Sequence, residues 1–320
     1  MELTVTLILF ALGILLVVKG GDYFVDAASW IAEVSGIPKL IVGATIVSVA
    51  TTLPEMLVSV MAATQGKVDM SIGNAIGSVT ANIGLIMALA LICMPGVIKR
   101  ADYLFKSVLM ILAAFIIVIC GFFGKVNLVF SAVLLALFVV FIFENISGAR
   151  KMMLAGQSEE KERVTATKKT VIINTIKFFA GAAGIVFGAD LLVNNGSELA
   201  RFAGISERII GVTLVAVGTS LPELITTITA IVKKQSSLSV GNILGANIMD
   251  LTLIMPLSAL VSGKSLPISE TAAALDLPIC LLVGLIAIAP AMLRSKFSRW
   301  QGFLLLLVYA VYVIMTCLLV

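Results

Sequence analysis

A polar signature occurs twice in this chain, 168 residues apart, each time inside a long apolar stretch: Thr51-Thr52-Leu53-Pro54-Glu55 returns as Thr219-Ser220-Leu221-Pro222-Glu223. The register holds without a gap from Ile41 and Ile209 through Ile83 and Leu251. A second block, Gly73-Asn74-Ala75-Ile76-Gly77, returns within it as Gly241-Asn242-Ile243-Leu244-Gly245. Two carboxylates thus stand where side chains suited to lipid belong. An ionisable group at membrane depth is costly unless it faces a partner or a wet cavity, so its default reading is a functional site. Duplicated by an internal repeat, it points to a transporter built from two halves around one polar site.

The surrounding sequence supports membrane depth. The 320 residues are 60% hydrophobic and 12% charged, with a mean hydropathy of +1.15, which excludes a soluble domain. Apolar stretches long enough for the roughly 30 Å hydrocarbon core begin near residues 3, 39, 70, 103, 126, 170, 207, 238, 271 and 300. The expectation is an all-α integral membrane protein of ten transmembrane helices: a first repeat over 1–147, a linker over 148–169 and a second repeat over 170–320. Five spans is an odd number, so the second half enters the membrane from the opposite side and the repeats are inverted. Such repeats place a binding site near the midplane and give inward- and outward-facing states of similar energy.

Charge sets the orientation. Most of the 22 Lys and Arg, including Lys39, Lys99, Arg100, Lys106, Arg150, Lys151, Lys233 and Lys234, fall on one side once the spans are drawn. By the positive-inside rule that side is cytoplasmic, with both termini outside and the 148–169 linker inside a multi-pass cell-membrane protein. The first span lacks a basic start and a small-residue cleavage site, so it reads as a retained helix. The net charge of +4 belongs to the cytoplasmic loops and implies no nucleic-acid partner. Cys93, Cys120, Cys280 and Cys317 are scattered singly and read as packing residues.

The paired motifs carry a specific chemistry. Proline removes an amide donor within a helix, so Pro54 frees the carbonyl of Ala50 and Pro222 that of Gly218, loosening those of Thr51 and Thr219 beside them. Helical spacing puts Thr51, Thr52 and Glu55 on one face, and Thr219, Ser220 and Glu223 on its counterpart. A facing wall carries Asn74, Ser78 and Asn82 at spacing four, matched by Asn242, Ala246 and Asp250, with Asn247 beside that stripe. Gly73, Gly77, Gly241 and Gly245 are expected to let the helix backbones approach closely. The inventory is all oxygen with no His in the chain, which suits Ca²⁺ or Na⁺ and argues against zinc or copper. Three carboxylates can balance one Ca²⁺ or about three monovalent ions, which makes competitive occupancy plausible on charge alone. Asp22 aligns with Asp190 but lies near a span end, where snorkelling or capping serves as well as gating.

These motifs resemble those of the cation/Ca²⁺ exchanger superfamily, most closely its prokaryotic sodium/calcium exchangers, over essentially the whole chain. The family form is Gly-Thr-Ser-Leu-Pro-Glu followed by Gly-Asn-x-x-Gly-Ser, present twice in inverted order. The resemblance implies a ten-helix antiporter exchanging Ca²⁺ for Na⁺ by alternating access, with four ion sites at the midplane. It makes Glu55 and Glu223 the central Ca²⁺ carboxylates, completed by carbonyls of Thr51 and Thr219. Thr52, Ser78, Asn82, Ser220 and Asp250 then line the flanking and central positions, and the first and sixth spans form a tilted pair that slides across the rest. The implied partners are the two ions and the lipid bilayer, with no cofactor, no enzymatic activity and no obligate protein partner. Three positions depart from the family form: Ala50 and Thr52 replace Gly and Ser, and Ala246 replaces Ser. Thr52 keeps its hydroxyl, whereas Ala246 deletes an oxygen from one side of the site. Either a water substitutes there or one monovalent site is weakened, and restoring Ser at 246 is expected to raise Na⁺ dependence. Coupling to H⁺ or K⁺ on the same scaffold is the alternative, since a protonatable Asp250 could serve it. An intramembrane hydrolase would leave the proline-freed carbonyls unexplained, and a passive channel fits an oligomeric ring better than an inverted repeat.

Overall fold

The computed structural model describes residues 2–154, 167–204, 218, 220–263 and 265–319. Ten helices follow in order: α1 Glu2–Ser35, α2 Lys39–Thr64, α3 Val68–Cys93, α4 Arg100–Phe122, α5 Leu128–Leu154, α6 Lys168–Phe202, α7 Leu221–Val232, α8 Ser236–Val261, α9 Ala272–Arg294 and α10 Arg299–Leu319. Nine of them are long and apolar enough to cross a membrane among the described residues, and α7 is a shorter apolar helix. The beginning of the span expected near residue 207 lies outside the described residues. So does most of the linker, whose flanking helices run into it as far as Leu154 and from Lys168.

The repeat is visible in the element ends. Thr64 and Val232 close α2 and α7, and Cys93 and Val261 close α3 and α8, each pair 168 residues apart. Helices α3 and α8 are both 26 residues long, and α4 and α9 both 23. The all-helical expectation needs one small correction, because the connections form two short antiparallel strand pairs. Gly96–Val97 pairs with Lys296–Phe297, and Lys125–Val126 pairs with Leu266–Pro267. One pair precedes α4 and the other follows it, so they lie at opposite ends of the bundle. Exchanging the halves converts the first pair into the second, as an inverted repeat requires. These ladders satisfy backbone groups where the chain turns between helices.

Among the described residues, four π-helical segments interrupt the long helices: Gly43–Val47 in α2, Asn82–Met87 in α3, Asp250–Ile254 in α8 and Ala272–Asp276 in α9. Two of them begin at the repeat-related residues Asn82 and Asp250. Such wide turns cluster at functional sites because they re-aim side chains and loosen the backbone ladder.

The main core runs through α3, α4, α8 and α9, with Ile76, Ile83, Met110, Ile117, Ile243, Leu251 and Val283 fully enclosed. A smaller cluster built on Phe24, Val25, Ala28, Phe178 and Ile185 unites α1 with α6. Glycines set the α1–α6 contact: a Cβ on Gly181 would come 2.6 Å from the Phe24 amide nitrogen, and one on Gly20 would come 2.8 Å from that of Ile185. The smaller cluster also takes in Val42 and Val47 of α2, Ala230 of α7 and Leu238 of α8, so the pair is tied to its neighbours as well. Outward-facing Leu7, Ile8, Phe143, Phe179, Phe187, Phe303 and Leu307 form an apolar exterior suited to lipid.

Candidate ion-binding site

Helix α2 buries one polar stripe. Ser48, Thr51, Thr52, Glu55 and Ser59 recur at intervals of three or four residues, and all are enclosed. Pro54 lies inside the helix, so the Ala50 carbonyl has no amide donor four residues on. In the second half, Pro222 opens α7 instead of interrupting a described helix, and Ser220, Glu223, Thr226 and Thr227 are buried beside it. Thr219 lies outside the described residues.

The two stripes meet across the repeat. Thr52 Oγ1 donates to Glu223 Oε1 at 3.3 Å, and Thr51 Oγ1 donates to Asn242 Oδ1 at 3.2 Å. The buried carboxyl groups of Glu55, Glu223 and Asp250 lie within electrostatic reach of one another. Asn74 Nδ2 grips the turn below Glu55, donating to the Glu55 carbonyl at 3.1 Å and to Ser59 Oγ at 2.8 Å. Ser78 and Asn82 on α3, and Asp250 on α8, are buried as well.

Of the residues expected from sequence, Thr52, Glu55, Glu223 and Asp250 act on one another directly and Thr51 reaches Asn242, whereas Ser78, Asn82 and Ser220 are seen only to be buried. Glu55, Glu223, Asp250, Asn82, Thr51, Thr52, Ser220 and Ser78 are each at most 3% exposed. Glu55 Oε1 and Oε2, Glu223 Oε2, Asp250 Oδ1 and Oδ2, Asn82 Oδ1, Ser78 Oγ and Ser220 Oγ have no hydrogen-bond partner among the described residues. None of the ion pairs among the described residues reaches the three carboxylates: they join Lys39 to Glu33, Lys106 to Glu144, Arg201 to Glu198, and Lys233 to Asp22 and Asp26. Buried negative charge without a basic partner is stable only with a cation or a proton. The carboxylates do not form a compact metal cluster by themselves, since no group of three acidic, cysteine or histidine side chains converges among the described residues. The arrangement is three buried carboxylates, two of them from opposite halves, accompanied by buried hydroxyl and amide oxygens, the donor type that hard cations take.

Close approach of the walls is seen on one side. A Cβ on Gly241 would fall on the Leu40 carbonyl, and one on Gly245 on that of Ala44. Nothing lies within 4 Å of a Cβ built at Gly73 or Gly77 among the described residues, so the expected symmetric contact is observed only for α8 against α2. The positions 168 residues after Leu40 and Ala44, 208 and 212, lie outside the described residues. The sequence reading omitted Ser48, Ser59, Thr226 and Thr227; spacing from the two glutamates would have found all four.

Inverted membrane repeats that bring one carboxylate from each half to a shared, oxygen-lined centre define a secondary ion transporter. The chain belongs to the sodium/calcium exchanger protein family, whose profile matches residues 5–146 and again 173–318. This is a family of transporters, not enzymes. An uncharacterized membrane protein of Methanocaldococcus jannaschii is 32% identical over 94% of this chain and 95% of its own length. The sodium/calcium exchanger MaX1 of Methanosarcina acetivorans is 29% identical over 98% of both chains. A solved structure of the sodium-calcium exchanger NCX_Mj superposes with a TM-score of 0.80 at 28% identity, covering 97% of this chain and 98% of that one.

Proposed function

We propose that this protein is a secondary antiporter that exchanges Ca²⁺ for Na⁺ by alternating access. The observation that carries the reading is that Glu55 and Glu223, one from each half, lie within electrostatic reach of each other, buried and without a basic partner among the described residues. Glu55 and Glu223 bind Ca²⁺ from opposite sides, with backbone carbonyls of Thr51 and Thr219 completing the central position. Thr52, Ser78, Asn82, Ser220 and Asp250 line the central and flanking positions, where Na⁺ binds. Both ions draw on the same carboxylates, so one displaces the other. With three Na⁺ per Ca²⁺ one net charge crosses per cycle, worth about 2.3 kcal/mol per 100 mV.

The halves are 1–147 and 170–320, joined by a cytoplasmic linker over 148–169, with both termini outside the cell membrane. The family match in two blocks and the basic residues on one side support that division and orientation. The α1–α6 pair moves across the remaining helices, a reading supported by the close glycine-packed contact that joins the two. Coupling to H⁺ or K⁺ on the same scaffold is the second reading, favoured by Asp250, a buried carboxylate that a proton would also satisfy.

Competition between the two ions tests the reading. Ca²⁺ is expected to raise the thermal midpoint of the detergent-solubilised protein, and the rise produced by a given Ca²⁺ addition to shrink when Na⁺, but not choline, is already present. A Ca²⁺ effect indifferent to Na⁺ would contradict exchange at a shared site.

A further inference from the structure

Ala246 removes a hydroxyl from the α8 wall, and a serine of α2 stands close by. Gly245, the residue before it, abuts α2 so closely that a Cβ there would come 2.6 Å from Ser48 Oγ. Ser48 is fully buried and lies one turn before Thr51 and Thr52, and two before Glu55, on the same helical face. Its hydroxyl donates to the Thr45 carbonyl at 3.1 Å, inside the π-helical turn that precedes it. A serine hydroxyl has one proton and two lone pairs, so with the proton spent inward its oxygen is left free to accept or coordinate. The neighbouring carbonyl is held as well, because Thr51 Oγ1, which reaches Asn242, also lies 3.3 Å from the Ser48 carbonyl oxygen.

The repeat register sharpens the point. The residue 168 positions after Ser48 is Ala216, and the residue 168 positions before Ala246 is Ser78. The first repeat thus carries a hydroxyl at both positions, Ser48 and Ser78, and the second at neither, Ala216 and Ala246. Ser48 belongs to the first repeat but packs on the second repeat's α8, beside the position that lacks the oxygen.

We propose that Ser48 supplies from α2 the hydroxyl oxygen that Ala246 withholds from α8, and so sets the Na⁺ affinity of the flanking position there. This rests on the Na⁺/Ca²⁺ exchange reading and goes beyond it, naming a specificity-determining residue outside the paired motifs. It also reverses the expectation from sequence that restoring Ser at 246 raises Na⁺ dependence, because the oxygen is already provided.

The test is Ca²⁺ uptake into liposomes by the full-length protein, titrated against internal Na⁺, for the wild type, Ser48→Ala, Ala246→Ser and the double variant. Ser48→Ala is expected to raise the half-activating Na⁺ concentration about fivefold, the effect of losing one neutral polar contact. Half-saturation by Ca²⁺ at saturating Na⁺ stays unchanged. The double variant returns to the wild-type Na⁺ curve, a rescue that a purely structural role for Ser48 would not produce. Ala246→Ser alone leaves the Na⁺ curve in place, an outcome that can be read even where Ser48→Ala does not fold. An unchanged Na⁺ curve in Ser48→Ala, a failure of the double variant to recover, or a marked leftward shift in Ala246→Ser would each overturn the proposal. Absence of Na⁺-activated uptake in the wild type would instead overturn the exchange reading on which it rests.

Discussion

At the scale of single residues, the site is held by polar contacts that cross the repeat. Thr52 reaches Glu223 and Thr51 reaches Asn242, so each motif is positioned partly by the other half. Glu55→Gln and Glu223→Gln remove one charge while keeping shape. Each is expected to abolish Ca²⁺ transport, and each should melt no lower than the wild type in ion-free buffer, because like charges at close range oppose folding. Uptake together with a melting curve checks both halves of that statement; retained uptake in either variant would remove the central role of the carboxylates. The glutamates were legible in the sequence because a charge duplicated within apolar stretches is too costly to persist without a use. Ser48 was legible by its spacing from Glu55 but its use was not, since a lone serine in a membrane helix ordinarily back-bonds to the turn before it, and this one does so while also facing α8.

At the scale of elements, α2 and α8 are brought together by missing side chains. Gly245→Ala would drive a Cβ into the Ala44 carbonyl, forcing apart the backbones that hold Thr51 beside Asn242. The expected cost is about 2 kcal/mol of stability, as for overpacking elsewhere, with loss of transport; chemical denaturation in micelles measures the first. Ion pairs between helices differ in the same predictable way. Lys106 on α4 is only 2% exposed and donates to Glu144 on α5 at 2.9 Å. On sequence it counted simply as one of the cytoplasmic basic residues. Glu144→Gln strands a buried ammonium and is expected to destabilise by about 3 kcal/mol. Asp26→Asn weakens the exposed contact to Lys233 and is expected to cost under about 1 kcal/mol. Equal effects from the two substitutions would contradict the burial assigned to Lys106. Asp22 also binds Lys233, an ion pair in place of a cap, while its repeat partner Asp190 is exposed.

At the scale of the whole molecule, the sequence disclosed more of the architecture than of the detail. Ten apolar stretches and a gap-free register at an offset of 168 residues implied inverted five-helix halves, and the matched ends of α2 with α7 and α3 with α8 agree. The two-residue strand pairs lie below any periodic signal, and the π-helical turns leave none, because the side-chain pattern on either side of them remains helical. The departures from symmetry concern function. Ser48 and Ser78 of the first repeat correspond to Ala216 and Ala246 of the second, and Lys233 at the end of α7 answers to Gln65 after α2. Under the alternating-access reading proposed above, such differences would give the two states unequal energies. The central claim is exchange of Ca²⁺ for Na⁺, and reconstituted liposomes test it most directly. Radiolabelled Ca²⁺ uptake should follow an outward Na⁺ gradient and stay at background with matched H⁺, K⁺ or no gradient. Uptake driven by H⁺ or K⁺ but not by Na⁺ would contradict the account.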